Sequence, residues 1–214
     1  MRAAPSIPRG FTLFELLIVL ALTGVLIGIG VPGLTQFMRS NQMTAAANDM
    51  LAAVHLARAE SVKRRLPTEM CFSADPSAAT PACDGNGTQG WVVWVDDADP
   101  DATNANDNNG VINANEPILL RHGALPTSVM NLVTKPAGNA GYVAFRDTGF
   151  VKVAADDLSG VVICDAKKGN VMQGGAEVST ARGLLISPVG RPSVTRNVNT
   201  IATNADLLNN GSCP

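Results

Sequence analysis

Three residues near the start of the chain have types and spacing that suit a defined chemistry. Gly10 ends the polar segment MRAAPSIPRG, Phe11 begins an apolar run, and Glu15 is the one charged residue of that run. The small residue precedes the apolar run, whereas the cleavage site of a secretory signal peptide follows it. Cleavage after Gly10 would therefore leave the apolar segment on the mature protein, with a new amino terminus at Phe11.

Glu15 stands out because an ionisable side chain inside an apolar, membrane-length segment is costly and usually functional. An amino terminus at Phe11 would carry a positive charge, which the Glu15 carboxylate of a neighbouring subunit can balance. Such a pair offsets the burial of both charges and fixes the register between two subunits. We therefore expect Gly10 and Phe11 to be processing residues and Glu15 to be an assembly contact.

The apolar segment that positions these residues is long enough to cross a membrane. Its 21 residues, from Phe11 to Val31, would span a hydrocarbon core of roughly 30 Å as a helix. The alternative is an ordinary single-span anchor, oriented by the basic flank that contains Arg2 and Arg9.

A helical pattern continues beyond the glycines at positions 24, 28 and 30 and Pro32, which weaken a helix. After a start at Leu34, Phe37 and Met38, small and apolar residues recur at alternating spacings of four and three. They predict one buried helix face made of Met43, Ala47, Met50, Val54, Ala57 and Ser61. The helix should end before Pro67, because the residue before a proline disfavours helical conformation.

From Thr68 onward, short apolar runs separated by Gly, Pro, Asn and Asp predict antiparallel strands rather than β–α–β units. The predicted strands are Thr68–Phe72, Gly90–Val95, Ile118–Arg121, Gly141–Phe145, Gly149–Val153, Gly160–Cys164 and Arg182–Ser187. The expected fold class is α+β, with a long N-terminal helix packed on an antiparallel β domain that contains disulfides.

The four cysteines, Cys71, Cys83, Cys164 and Cys213, all follow the apolar segment. An even number of cysteines in an exported domain indicates disulfides. The chain has no CxxC pair, so a zinc site is the weaker interpretation. Three pairings exist in principle, and we favour Cys71–Cys83 as a local loop clasp and Cys164–Cys213 as a tie for the C-terminal segment.

The segment RGFTLFELLIVLALTGVLIGIGVPGL closely resembles the class III signal of type IV pilins and type II secretion pseudopilins. The resemblance matches Gly10 with the residue before the cut, Phe11 with the N-methylated first residue, and Glu15 with the glutamate fifth in the mature chain. Pro32 falls where such helices often carry a proline. The implied partners are a prepilin peptidase, other pilins or pseudopilins, and an inner-membrane assembly platform.

The rest of the chain resembles the GspH/FimT group, which comprises the H pseudopilin of type II secretion and the FimT/FimU minor pilins. The motifs that carry the resemblance are AVHLARAESVKRR, GWVVWVDDAD, GVVICDAKKG and ARGLLISPVGRP. It implies a prepilin leader at 1–10, a transmembrane and assembly helix at 11–33, an amphipathic continuation at 34–66, and a periplasmic β domain at 67–214.

The function that the resemblance implies is that of a minor type IV pilin, a structural subunit used in pilus biogenesis at the tip or in an initiation complex. The alternative is an H-type pseudopilin for protein secretion. Either protein would be a single-pass inner-membrane protein before it joins a pilus or pseudopilus.

The most acidic segment, residues 96–116, partly matches a calcium-binding loop of the EF-hand type. With Gly110 at the turn position, oxygen ligands would come from Asp107, Asn109, Asn113 and Glu116, but an alanine occupies the first ligand position. A solvated loop between two strands is the simpler interpretation. We therefore expect no cofactor and retain Asp107, Asn109 and Glu116 only as a calcium candidate.

A second candidate site is a basic patch near the C-terminus. Some FimT-like minor pilins bind DNA through a Gly-Arg-x-Arg segment; here Gly190 and Arg191 match, the second arginine is missing, and Arg196 follows. The candidate patch consists of Lys167, Lys168, Arg182, Arg191 and Arg196. The net charge of −2 excludes a general affinity for polyanions, so any contact with DNA would have to be local.

Motifs of common enzymes are missing from the chain. It contains no HExxH, no phosphate-binding loop and no GxSxG. The two histidines, His55 and His122, have no catalytic companions nearby in the sequence, and we expect a structural or surface role for His55. The chain is therefore expected not to be an enzyme.

Overall fold

A computed structural model describes residues 10–96, 110–126, 130–135, 141–152, 159–166, 172–173, 176–177, 181–197 and 201. The chain divides into two compact units, Met1–Ser40 and Asn41–Pro214. A single helix, α1 (Leu13–Arg64), contributes residues to both units.

Local signals set both ends of α1. The Thr12 hydroxyl oxygen accepts a hydrogen bond from the backbone N–H of Glu15 (3.2 Å), which caps the first turn. At the other end Arg65 has a φ of 57°, the left-handed conformation in which helices commonly stop. The helix ends at Arg64, three residues before Pro67, and the prediction that it ends before this proline is confirmed.

In the first unit, every described residue from Gly10 to Val31 is exposed. By length and composition, α1 is able to cross a membrane. The helix continues through the three glycines and Pro32 without a break. Leu34, Phe37 and Met38, at the start of the amphipathic pattern, are more than half exposed, and complete burial begins at Met43.

The second unit contains ten strands within the described residues. They are β1 (Thr68–Phe72), β2 (Trp91–Val95), β3 (Ile118–His122), β4 (Met130–Lys135), β5 (Val143–Phe145), β6 (Gly160–Asp165), β7 (Met172–Gln173), β8 (Ala176–Glu177), β9 (Arg182–Ile186) and β10 (Pro192–Thr195). Two four-stranded antiparallel sheets have the orders β3-β2-β1-β5 and β10-β9-β6-β4, and β7 pairs with β8.

Six of the seven predicted strands are present, with ends that differ by at most two residues. The predicted strand at Gly149–Val153 is wrong as far as it is described, because a tight turn occupies its start. The Arg146 N–H donates to the Phe150 carbonyl (2.9 Å), and Val151 makes only an isolated bridge to Phe145. Strands β4, β7, β8 and β10 were not predicted.

The predicted helix face is confirmed, since all six of its residues are at most 1% exposed. It shares one hydrophobic core with both four-stranded sheets. The first sheet contributes Met70, Phe72, Trp91, Val93, Val143 and Phe145, and the second contributes Val161, Ile163, Leu184 and Ile186. One core therefore joins the helix to both sheets.

The opposite face of the first sheet has its own smaller cluster, formed by Cys71, Val92, Trp94 and Ile112. Here Cys71 and Cys83 form the predicted disulfide, with Cα atoms 5.4 Å apart. Cys164 is also disulfide-bonded. Cys213 lies outside the described residues, so the Cys164–Cys213 pairing stays a prediction.

The buried helix face can be tested with Met50→Ala in the full chain in detergent micelles. Met50 is fully buried, and the lost contacts and the resulting cavity should lower the free energy of unfolding by about 2–5 kcal/mol. Chemical denaturation followed by circular dichroism measures this change. The control, His55→Ala, alters an exposed residue of the same helix and should change stability by less than about 0.5 kcal/mol. Equal effects of the two changes would contradict the assignment of the buried face.

Candidate functional site

The amino-terminal candidate site is an exposed, non-helical junction. Gly10 and Phe11 precede α1 and lie outside regular structure. A side chain built on Gly10 would meet no atom within 4 Å. The Gly10–Phe11 peptide bond is therefore accessible, as a processing site must be.

Glu15 is fixed in the first turn of α1 by a cap that the sequence analysis missed. Besides its hydroxyl contact with Glu15, Thr12 accepts a backbone hydrogen bond from Leu16 (3.2 Å). The spacing Thr-x-x-Glu is that of a capping box, and this pattern was a signal that could have revealed Thr12. A carboxylate is favoured here because the start of a helix carries a partial positive charge.

Glu15 has no cationic partner among the described residues, so its charge is available to another chain. Pro32 does not belong to the same site. At 1.5 Å of rise per residue it lies roughly 25 Å further along α1.

A second candidate region is a cluster of carboxyl groups on the outer face of the first sheet. Glu69 and Asp96 are fully buried, and neither oxygen of Glu69 has a partner at hydrogen-bonding geometry. Asp96 accepts a hydrogen bond from the Gly110 N–H (2.9 Å) through Oδ2. Glu116 accepts one from the Asn113 N–H (2.8 Å).

Burial determines the protonation of this carboxyl cluster. Desolvation raises the pKa of Glu69 to about 8; Tyr142 and Lys152 oppose the shift, and the negative charge of Asp96 adds to it. Desolvation also raises the pKa of Glu116 to about 7, against the hydrogen bonds from Asn113. At neutral pH Glu69 is therefore mainly a neutral acid, which is compatible with its complete burial.

The described part of the chain contains no calcium site at the predicted ligand residues. Glu116 closes a local turn, in which its own N–H donates to the Asn113 carbonyl (3.2 Å). The described residues contain no group of three or more His, Cys, Asp or Glu side chains able to hold a metal ion. Asp107 and Asn109 lie outside the described residues.

The candidate basic patch is not assembled as predicted. Arg182 is only 6% exposed, and its Nη2 donates to the Thr44 hydroxyl on α1 (3.2 Å). Desolvation, with a smaller contribution from the charge of Arg196, lowers the pKa of Arg182. The prediction that Arg182 belongs to an exposed patch is therefore wrong, because this side chain joins β9 to the helix.

Two other members of the patch, Arg191 and Arg196, are exposed but do not converge. They flank β10 at opposite ends, roughly 16 Å apart at about 3.3 Å per residue. Lys167 and Lys168 lie outside the described residues.

The two histidines occupy unrelated positions. His55 is exposed on α1. His122 stacks on Trp91, with ring centroids 3.8 Å apart, and its Nε2 lies 3.5 Å from the Asp49 carboxylate. The contacts of His122 therefore link the end of β3 to the helix.

Two family models match the chain, and between them residues 32–45 are unmatched. The family model "Type II transport protein GspH" matches residues 46–198. The model "Prokaryotic N-terminal methylation motif" matches residues 8–31, which include Gly10, Phe11 and Glu15. No curated protein matches the chain significantly.

Two crystal structures of the type IV minor pilin FimU from Pseudomonas aeruginosa (strain PAO1) are similar to the chain at 16% identity. The first match covers 74% of this chain and 92% of FimU, with a TM-score of 0.44. The second, from another crystal form, covers 71% and 91%, with a TM-score of 0.41.

The carboxyl cluster predicts how stability depends on pH. The pKa of Glu69 rises on folding from its ordinary 4.5 to about 8, so the folded state holds a proton that the unfolded state has lost. The free energy of unfolding should fall as pH rises through this window, by up to about 1.4 kcal/mol per pH unit from this group. Chemical denaturation at a series of pH values measures the slope.

Glu69→Gln keeps a neutral side chain at every pH and should remove this part of the slope. The control, Glu60→Gln, changes a carboxyl group on α1 whose pKa is lowered by its hydrogen bonds with Arg64 and Lys63. This change should leave the decrease of the free energy of unfolding with pH in place. Parallel pH profiles for the wild type and Glu69→Gln between pH 5 and 8 would contradict the assignment.

Proposed function

We propose that this chain, which belongs to the GspH family of type II transport proteins, is a minor type IV pilin, because the order of its motifs resembles that of FimT and FimU. A prepilin peptidase cleaves it after Gly10, and the mature subunit enters the fibre by means of Glu15. One observation carries the proposal: the exposed Gly10–Phe11 junction is followed directly by a Thr12-capped apolar helix, within a matched N-terminal methylation motif.

The exposed apolar half of α1 explains why such a subunit needs a membrane and then a fibre. Each large apolar side chain left in water costs about 1.5–3 kcal/mol relative to burial, and Phe11, Leu13 and Phe14 are all more than 70% exposed. The lipid bilayer covers this surface before assembly, and neighbouring helices cover it afterwards.

The charge pair gives the assembly step its register. Cleavage creates an α-amino group at Phe11, whose positive charge has no side-chain partner in its own first turn except Glu15. Four residues along a helix correspond to roughly 6 Å, so a neighbouring subunit shifted by about one turn brings its Glu15 to this amine. The pairing neutralises two charges that would otherwise be buried alone in an apolar fibre core.

The place of the subunit at the tip or in an initiation complex is supported by the order of motifs that resembles FimT and FimU. The alternative, an H-type pseudopilin, is supported by the matched family, which is that of the type II transport protein GspH. Both alternatives use the same helix and the same processing, so only the effect of deleting the gene on pili and on protein secretion can distinguish them. DNA binding is not proposed, because Arg182 is buried and Arg191 and Arg196 do not converge.

Two substitutions separate processing from assembly. Gly10→Glu should block cleavage, because the peptidase would meet a charged side chain at the junction. Glu15→Gln should be cleaved normally but should reach the fibre at least tenfold less, because the amine of the neighbour loses its partner. Mass measurement of the membrane-bound protein and immunoblots of sheared fibres provide the readouts.

The control for both changes is Glu60→Gln, a charge-neutralising change outside the apolar segment, which should be processed and incorporated normally. Cleavage of Gly10→Glu would contradict the processing site. Normal incorporation of Glu15→Gln would contradict the registering role.

Deletion of the gene in the source organism distinguishes the two proposed systems. We expect surface pili to be lost or reduced at least tenfold, with unchanged protein secretion, and wild-type protein but not Glu15→Gln to restore them. Electron microscopy counts the pili, and culture supernatants measure secretion. Lost secretion with normal pili would contradict the minor pilin and support the pseudopilin.

A further inference from the structure

A cavity of about 400 Å³ lies in the second unit, beside the end of α1 and the turn that follows β5. It is lined by Arg65, Pro67, Phe145, Arg146, Asp147 and Lys152. None of these residues takes part in the processing junction, and only Lys152 interacts electrostatically with the carboxyl cluster, through Glu69.

The walls of the cavity are held by the fold. The turn after β5 is closed by the Gly149 N–H, which donates to the Arg146 carbonyl (2.8 Å), and Lys152 is tied to β5 through its N–H and the Ala144 carbonyl (2.8 Å). The Arg58 Nε donates to the Gly149 carbonyl (3.1 Å), which joins the turn to α1. Gly149 has a φ of 76°, and a side chain there would collide with Val62. The cavity is thus a built feature rather than a gap between loops.

The charge of the cavity opposes that of the chain. Three cationic side chains, Arg65, Arg146 and Lys152, face one carboxylate, Asp147, although the net charge of the protein is −2. The nearby Lys63 and Arg64 are already paired with Glu60. In the described part of the chain no carboxylate forms a salt bridge with Arg65 or Arg146.

An apolar rim, made of Val62, Phe150 and Val189, lies around the turn at Gly149. Val62, Phe150 and Val189 are 50%, 53% and 47% exposed. They come from α1 and two neighbouring turns, which are connected because the Val151 N–H donates to the Pro188 carbonyl (3.3 Å). Exposed aromatic side chains and arginines are both enriched at protein interfaces.

We propose that the cavity and its rim bind an acidic, partly apolar segment of a partner protein. Carboxylates of the segment lie against Arg65 and Arg146, and its apolar side chains cover the rim. This inference rests on the proposed assembly role for the identity of the partner, which is a neighbouring subunit.

A peptide suits this surface better than a phosphate polyanion for two reasons. Asp147 stands inside the cavity and repels a dianionic phosphate more than a singly charged carboxylate. The apolar rim also offers nothing to a phosphate backbone, whereas it can bury the Leu, Val or Phe side chains of a peptide.

The test uses the full chain in detergent micelles and isothermal titration calorimetry. The probe is acetyl-Glu-Leu-Glu-Leu-Glu-amide, and the matched control peptide has Gln in place of each Glu. We expect saturable binding of the acidic peptide, weakened by added salt, and at least tenfold weaker binding of the neutral one. Arg146→Gln should weaken binding of the acidic peptide at least tenfold. The control, Lys63→Gln, also removes one positive charge, but from a residue near the end of α1 that does not line the cavity, and should not weaken binding.

If Arg146→Gln unfolds at the same temperature as the wild type, its loss of binding does not come from a loss of folding. If it unfolds at a lower temperature, Arg65→Gln serves as the second variant. Equal binding of the two peptides, undiminished binding by the cavity variants, or binding of inorganic phosphate without binding of the acidic peptide would each overturn the proposal. A chain that is processed and assembled yet binds no acidic peptide overturns only the cavity assignment and leaves the proposed function standing.

Discussion

Burial of one face of α1, between Met43 and Ser61, is the interaction on which the second unit depends. Both four-stranded sheets direct apolar side chains at this face, and the helix and the two sheets share one core. The loss of the helix would expose the inner faces of β1 and β6 together. The half of α1 that completes the core of the β domain therefore continues directly from the exposed apolar half of the same helix.

Because α1 is continuous, its two halves need different surroundings. From Leu13 to Val31 the helix is apolar on every side and exposed within the chain. Only a bilayer or other helices can cover this apolar surface. In its second unit the helix is apolar on one side and already covered. A protein of this kind can leave the membrane for a fibre without unfolding its β domain, because the surface that changes partners is separate from the one that forms the core.

The sequence predicts features that local patterns determine. The face of α1 follows from spacing, its end from Pro67, and β1 from a short apolar run after that proline. Strand β10 escaped prediction because it has only four residues and begins with a proline, which is tolerated at a sheet edge. Strand β4 has six residues, MNLVTK, and its apolar and β-branched residues were a signal that could have revealed it. The burial of Arg182 depends on Thr44, 138 residues away, and the burial of Glu69 depends on loops that cover its sheet. No local pattern reports such distant contacts.

The central claim is that this chain matures as a pilin at the Gly10–Phe11 junction. The most direct test is the intact mass and amino-terminal fragment sequence of the protein isolated from membranes of its source organism. The account predicts the loss of residues 1–10 and a chain that begins at Phe11 and carries one added methyl group on its amine. A chain that retains residues 1–10, or one cleaved after the apolar segment, would contradict it.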